Sequence, residues 1–408
     1  MTDARGPIAA GSLEFRRINR AMAFGGFSVF ALLYCVQPLM PLLAQDFLLT
    51  PAQSSLALSV STATLAFALL ASGFVADRFG RKQLMITSMV GGACLTLLCA
   101  FTWSYAQLVG VRALLGLVLG GLPAVAMAYL SDEIEGSSLG LSMGMYISGS
   151  AFGGMSGRVL SSVIGDLASW RVAVGLLGAA GLYAAWEFAR SLPPSRHGAT
   201  TRAPGPGFAA GLRTHLADDG LPWLFVLPFL LMGCFVSLYN YIGYRLLAAP
   251  FNLSQSAVGA VSLLYLLGIV SSMWAGKLAD RLGRRNVLWL VLGVMLAGLL
   301  VTLHDSLVAV VLGTGLATFG FFASHSVASS WVGRRARPPQ ALASGMYLFC
   351  YYVGSSVVGW FTGYVWELWA WPGVVAVLGL LLAVAMGIAL HLRRLAPVGT
   401  IAPPAPGG

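Results

Sequence analysis

From residue 21 onward the chain runs as a succession of apolar stretches, each closed by a charged or Gly/Pro-bearing interruption. Their length, about 20 residues, is what a helix needs to cross the hydrocarbon of a bilayer. Twelve stretches are read, near 21–44, 55–76, 83–102, 106–130, 139–164 and 172–190, then 221–247, 255–275, 286–303, 307–331, 341–366 and 371–392. Charged residues make up 9% of the 408 positions, against about 25% in soluble domains. So few charges cannot cover the surface of a chain this size, and most of that surface must face something other than water. The expected class is an all-α polytopic membrane protein with 12 transmembrane helices.

The basic residues orient it. With a cytoplasmic N-terminus, 20 of the 24 Lys and Arg fall in cytoplasmic segments, leaving Arg112, Arg158, Arg171 and Arg245. The positive-inside rule therefore predicts a multi-pass protein of the cytoplasmic (inner) membrane with both termini inside. Arg16, Arg17 and Arg20 ahead of an apolar run imitate a signal peptide, but the run from Ala21 to Ala44 exceeds an h-region and is expected to be a retained first helix. The net charge of +10 does not mark a nucleic-acid surface, because the basic residues lie between apolar runs rather than on one solvated face. Cys35, Cys94, Cys99, Cys234 and Cys350 sit inside apolar runs, with no CxxC pair and no His at ligand spacing. No metal and no cofactor is expected.

The segment 191–220 carries Pro193, Pro194, Pro204, Gly205 and Pro206 among basic residues. It reads as a cytoplasmic linker between a bundle at 1–190 and a second at 221–396, with a Pro/Gly-rich tail at 397–408 expected to be disordered. The two halves match. Gly73-Phe-Val-Ala-Asp77-Arg78-Phe-Gly80-Arg81-Lys82 recurs 203 positions later as Gly276-Lys-Leu-Ala-Asp280-Arg281-Leu-Gly283-Arg284-Arg285. Gly144-Met145-Tyr146 recurs as Gly345-Met346-Tyr347, and Trp170 as Trp371, each 201 positions on. Six spans is an even number, so both copies enter the membrane from the same side and are related by an axis along its normal. Parallel repeats of this kind occur in secondary transporters, with the binding site at midplane between the halves.

The loop GFVADRFGRK and its copy GKLADRLGRR resemble the signature loop of the major facilitator superfamily, and the resemblance covers essentially the whole chain. Arg112-xxx-Gly116-xxx-Gly120 on span four is similar to that superfamily's second motif. Gly149-xxx-Gly153-Gly154-xx-Gly157 on span five resembles its glycine-rich antiporter motif, with Gly154 where the family usually has proline and Arg158 where it has glycine. Locally, YCVQPLMPLLAQDF and FVSLYNYIGYR look most like bacterial inner-membrane permeases of the arabinose-efflux and drug:proton antiporter type. The implied architecture is the major facilitator fold, two six-helix parallel-repeat bundles working as a monomer.

Gly73 and Gly80 permit a tight turn, and Asp77 can accept hydrogen bonds from the open N–H groups at a helix start. The resemblance implies that Asp77 faces the start of span eleven, near Ala343 and Gly345, and that Arg78 or Arg81 pairs with Asp132 or Glu133. Asp280, Arg281, Gly283 and Arg284 form the second copy of this latch, which biases the exchange between conformers. The plainer reading is a basic turn that sets topology and binds anionic headgroups. Gly116, Gly120, Gly149, Gly153, Gly157, Gly359 and Gly363 fall four apart, giving small faces on which helices pack closely or slide.

A polar side chain facing lipid is costly, so polar residues on a span are expected to face the cavity or one another. Ser237, Asn240, Tyr241 and Tyr244 share one face of span seven; Tyr34, Gln37 and Pro41 make a similar face on span one. The shift of 203 carries Gln37 onto Asn240. The resemblance implies that spans one, four, seven and ten line the cavity, which makes these residues substrate contacts; the alternative is interhelical hydrogen bonding. Arg112, roughly 10 Å inside span four, cannot itself carry a proton. It holds an anionic substrate group, tunes a neighbouring acid, or, like Arg158, pairs with Asp46 or Asp166 at the rim. His325, among Ser324, Ser326 and Ser329, titrates near neutrality and is the first candidate proton site, with Arg112 and Asp46 as further coupling candidates; a satisfied bundle histidine is its plainer reading.

The function expected is export of a small organic molecule, drug-like or sugar-like, by proton antiport and alternating access. The alternative is an uptake carrier or uniporter for a sugar or organic anion. No GxxxxGK[ST] loop is present for ATP, and no converging nucleophile, base or metal set suggests an enzyme.

Overall fold

The computed structural model describes residues 8–193, 195 and 207–395. The side chains at positions 73, 74 and 77, and the tail from residue 396, lie outside the described residues. The first half consists of α1 (Leu13–Tyr34), α2 (Met40–Phe47), α3 (Pro51–Phe79), α4 (Arg81–Cys99), α5 (Tyr105–Leu119), α6 (Gly121–Glu133), α7 (Gly136–Leu167) and α8 (Trp170–Ser191). The short α9 (Phe208–Leu216) leads into α10 (Leu221–Leu247), α11 (Gln255–Ala260), a 3-10 turn, α12 (Tyr265–Leu282), α13 (Arg284–Val301), α14 (Leu307–Arg335) and α15 (Gln340–Arg394).

Among the described residues, nine helices are long and apolar enough to cross a membrane, with α5–α6 and α11–α12 each taken as one. The 55-residue α15 holds two spans joined at Ala370, where φ is 47°. The remaining two are α1, diluted by Glu14, Arg16, Arg17 and Arg20, and α7, diluted by glycine and serine.

Most helices run a few residues past their apolar stretch, because polar caps extend them into the headgroup region. Thr50 and Ser104 form capping boxes with Gln53 and Gln107, each satisfying open N–H groups at a helix start. In both signature loops one residue breaks the chain into two helices. Gly80 has φ 85° and ψ 141°, and Gly283 φ 84° and ψ 140°, a region that only glycine enters without strain. The segment expected to be an irregular linker carries α9, which docks on the second half. His215 Nε2 lies 3.2 Å from Pro339 O, and Arg335 pairs with Asp218. Its helical period is short, and its inner side packs on α10 and α15, with Gly211 against Pro339 and Leu342.

Small residues set the packing within each half. Side chains added at Gly149, Gly153 or Gly157 of α7 would strike the backbone of Ala23, Phe27 or Ala31 on α1. The repeat reproduces the contact: a side chain at Gly354 of α15 would strike the backbone of Phe229 on α10. Backbones this close gain dispersion contacts that lipid tails cannot supply.

Candidate substrate site between the two halves

The first span unwinds between Tyr34 and Met40, where Pro38 has no N–H to continue the ladder. Carbonyls upstream of the break are thereby left without helical partners. Arg112, buried on α5, supplies them: Nη1 donates to Leu32 O at 3.1 Å, Nη2 to Leu33 O at 2.5 Å, and Nε to Ala57 O on α3 at 2.9 Å. Its expected rim partners are engaged elsewhere. Asp46 accepts from Trp170 Nε1 at 2.9 Å and Arg171 Nη1 at 2.5 Å, and these bonds hold its carboxyl below the usual range.

The break turns Gln37 toward the second half. Its Nε2 donates to Asn240 Oδ1 at 2.7 Å and to Val236 O at 3.3 Å, while its Oε1 accepts from Arg158 Nε at 2.6 Å. Arg158 Nη1 also donates to Gly154 O at 2.7 Å. The Arg158 guanidinium carbon lies 4.2 Å from the Tyr34 ring centroid and 4.6 Å from that of Tyr265. Two aromatic faces in this position offset part of the cost of burying the charge. Beside the group is a narrow cavity of about 20 Å3, bordered by Gln37, Arg158, Tyr239 and Asn240, enough for about one water.

The other span-seven residues divide. Tyr241 OH donates to Gly359 O at 2.7 Å and also faces Ser55 of the first half, while Ser237 Oγ, 3.1 Å from Thr362 Oγ1, is held within the second. Tyr244 reaches across, its OH 2.7 Å from Ser54 Oγ.

That contact belongs to a seal between the halves at the end away from the basic loops. Ala52 N–H donates to Glu367 Oε1 at 3.1 Å, Gln255 Nε2 to Pro38 O at 2.5 Å, and Ser162 Oγ to Gln255 O at 2.6 Å. Ser256 donates to Asp166 from its hydroxyl at 2.6 Å and its amide at 3.1 Å, which holds the Asp166 carboxyl below its ordinary value. At the basic end α3 still meets α15, with the Phe67 and Phe349 ring centroids 5.3 Å apart. Toward that end of α7 and α12, side chains added at Gly140, Gly144 or Gly276 would meet nothing within 4 Å among the described residues.

His325 on α14 stands deeper toward the basic end, Nδ1 2.9 Å from Tyr347 OH and its ring centroid 4.9 Å from that of Tyr351. In the first signature loop Arg81 pairs with Asp132 and donates to Ala128 O at 3.3 Å. Glu133 is buried and accepts from Ser195 Oγ at 2.6 Å. Arg78 is exposed, and the Asp77 side chain lies outside the described residues. In the second copy Asp280 is held by Arg284 at 2.9 Å and Arg334 at 3.4 Å, and Arg281 is exposed. Among the described residues no cluster of three or more His, Cys, Asp or Glu is placed to hold a metal.

Sequence reasoning gave Arg158 no place in the site and did not single out Tyr265 or Gln255. The available signal was a cation inside a glycine-rich helix, nine residues, about 14 Å, from its end.

The sequence profile described as Major Facilitator Superfamily matches residues 22–245 and again 240–407. The chain is 46% identical over 387 residues to the inner membrane transport protein YnfM of Escherichia coli (strain K12), covering 95% of this chain and 93% of that one. It is 42% identical over 387 residues to the uncharacterized MFS-type transporter YybF of Bacillus subtilis (strain 168), covering 95% and 96%. A bacterial homolog of the human lysosomal transporter Spinster, solved inward-facing and unoccupied, superposes with a TM-score of 0.79 at 14% identity, over 94% of this chain and 98% of that one. Two matched halves, each a six-helix repeat, and relatives along nearly its whole length establish the chain as a membrane transporter belonging to the major facilitator superfamily.

Proposed function

We propose that this chain is a secondary carrier of a bacterial cytoplasmic membrane that moves a small organic molecule by alternating access, exporting it in exchange for protons. Both termini and the basic loops face the cytoplasm in this reading. The observation that carries it is the joining of the two halves through Gln37 and Asn240, with further hydrogen bonds among the described residues on the side away from the basic loops. A carrier needs a site that either gate can expose, and a polar pair on the axis between two repeats supplies it. His325, with Tyr347 as its partner, is the proton site in this reading, and the signature loops are the latch.

The test is collapse of a pH gradient in everted vesicles containing the chain, across lipophilic drugs, sugars and organic acids. A saturable response, with half-saturation raised about tenfold by Gln37→Ala with Asn240→Ala, is expected. Unchanged affinity removes the pair from the site. Counterflow of a compound without any pH response favours a second reading, a uniporter or uptake carrier for a sugar or organic anion; that no carboxylate among the described residues pairs with Arg158 argues for the anion.

A further inference from the structure

Arg158 is 3% exposed, and among the described residues no carboxylate pairs with it. Its bonds to protein use Nε, to Gln37, and Nη1, to Gly154 O. A guanidinium carries five N–H donors, so three on Nη1 and Nη2 are left without a partner among the described residues, enough for a two-pronged contact. The rings of Tyr34 and Tyr265 lie against the group at 4.2 and 4.6 Å. A buried, unneutralised cation is costly, and in membrane proteins such residues mark binding pathways.

Two further observations fall at the same place. Asn240 Nδ2 is buried and has no hydrogen-bond partner, and Asn240 borders the same cavity as Arg158 and Gln37. Two side chains at the cavity thus have donors to spare, Asn240 through Nδ2 and the charged Arg158. The repeat also makes the site one-sided. The shift that carries Gly144 onto Gly345 carries Arg158 onto Gly359, and a side chain at Gly359 would begin 3.3 Å from Asn240 Nδ2. The second copy thus offers no guanidinium opposite the first, and the site holds one positive charge.

We infer that the substrate is a small organic monoanion, whose carboxylate or similarly shaped anionic group binds the free fork of Arg158, with Asn240 Nδ2 as a second donor. The inference rests on the reading that the substrate sits between the halves, and it is independent of direction and coupling. A planar fork matches a carboxylate in two parallel hydrogen bonds, which an ammonium cannot do.

The test uses the full chain in lipid nanodiscs, followed by thermal stability against matched compounds: benzoate, benzamide and benzylamine; lactate and lactamide; gluconate and glucose. At least one carboxylate is expected to raise Tm in a saturable way while its neutral and cationic partners do not. Arg158→Gln should weaken that binding at least tenfold, and Arg158→Lys, which keeps the charge without the fork, by a smaller factor; if Arg158→Gln does not fold, Arg158→Lys alone is read. The inference is overturned if carboxylates are silent or bind Arg158→Gln as tightly as wild type. A neutral compound whose binding depends on Gln37 and Asn240 keeps the interface site and removes the anion. Binding indifferent to all three residues removes both.

Discussion

Gln37 and Asn240 occupy the same position in the two copies of the repeat, and the Gln37 amide donates to Asn240 Oδ1 across the interface at 2.7 Å. Gln37 also accepts from Arg158, so its side chain satisfies a donor on its own half and an acceptor on the other. Loss of Gln37 orphans both groups, whereas loss of Asn240 leaves the Gln37 amide its bond to Val236 O. Each orphaned buried group costs about 1–3 kcal/mol. Gln37→Ala should therefore destabilise the chain more than Asn240→Ala, and a double-mutant cycle should show the two coupled. Additive losses in thermal unfolding would mean that the pair contributes nothing as a pair.

Arg112 is spent on backbone. With three bonds to Ala57, Leu32 and Leu33 carbonyls, it holds the first span together where Pro38 interrupts it. Arg112→Gln should cost about 3 kcal/mol or more in stability, since several carbonyls lose a charged donor. The transport rate per folded molecule should stay within about threefold, because no bond to substrate is removed. A stable Arg112→Gln protein with lost substrate affinity would return this residue to the site.

Asp166 joins the seal without acting as its pH sensor. The Ser256 hydroxyl and amide bond the charged carboxylate and lower its pKa from the ordinary 3.8. The contact is complete above that value and is lost only as pH falls through the lower folded one. Between about pH 5 and pH 8, where the Asp166 carboxylate stays charged, Asp166→Asn should leave the shape of the pH–transport profile unchanged. A shift of the optimum by about one pH unit would place the coupled proton at the seal instead of at His325.

The spans, the duplication and the glycine turns were legible because each is local. An apolar run needs about 20 residues, and Gly80 and Gly283 stand where φ is near 85°. The roles of the arginines were not legible. Arg112 and Arg158 each interrupt an apolar helix, and what separates them is tertiary: Arg112 meets carbonyls freed in another span, while Arg158 meets Gln37 and two tyrosine faces. Gln37 and Asn240 could be found because the repeat offset aligns two amides. Gln255 could not, since its partners Pro38 and Ser162 lie far from it in sequence and follow no repeat. The α9 helix escaped for the same reason, its buried side being defined by Pro339 and Leu342.

The seal must open for any substrate to pass between the halves, and Gly259 on α11 packs directly against Ser162 on α7. In a chain whose five native cysteines are replaced, Ser162→Cys with Gly259→Cys places two thiols within reach of a disulfide after a small backbone adjustment. Counterflow in proteoliposomes, measured before oxidation, after it and after reduction, reads the consequence. The account predicts at least a tenfold fall on crosslinking and recovery on reduction; full crosslinking with unchanged counterflow would contradict transport through this interface.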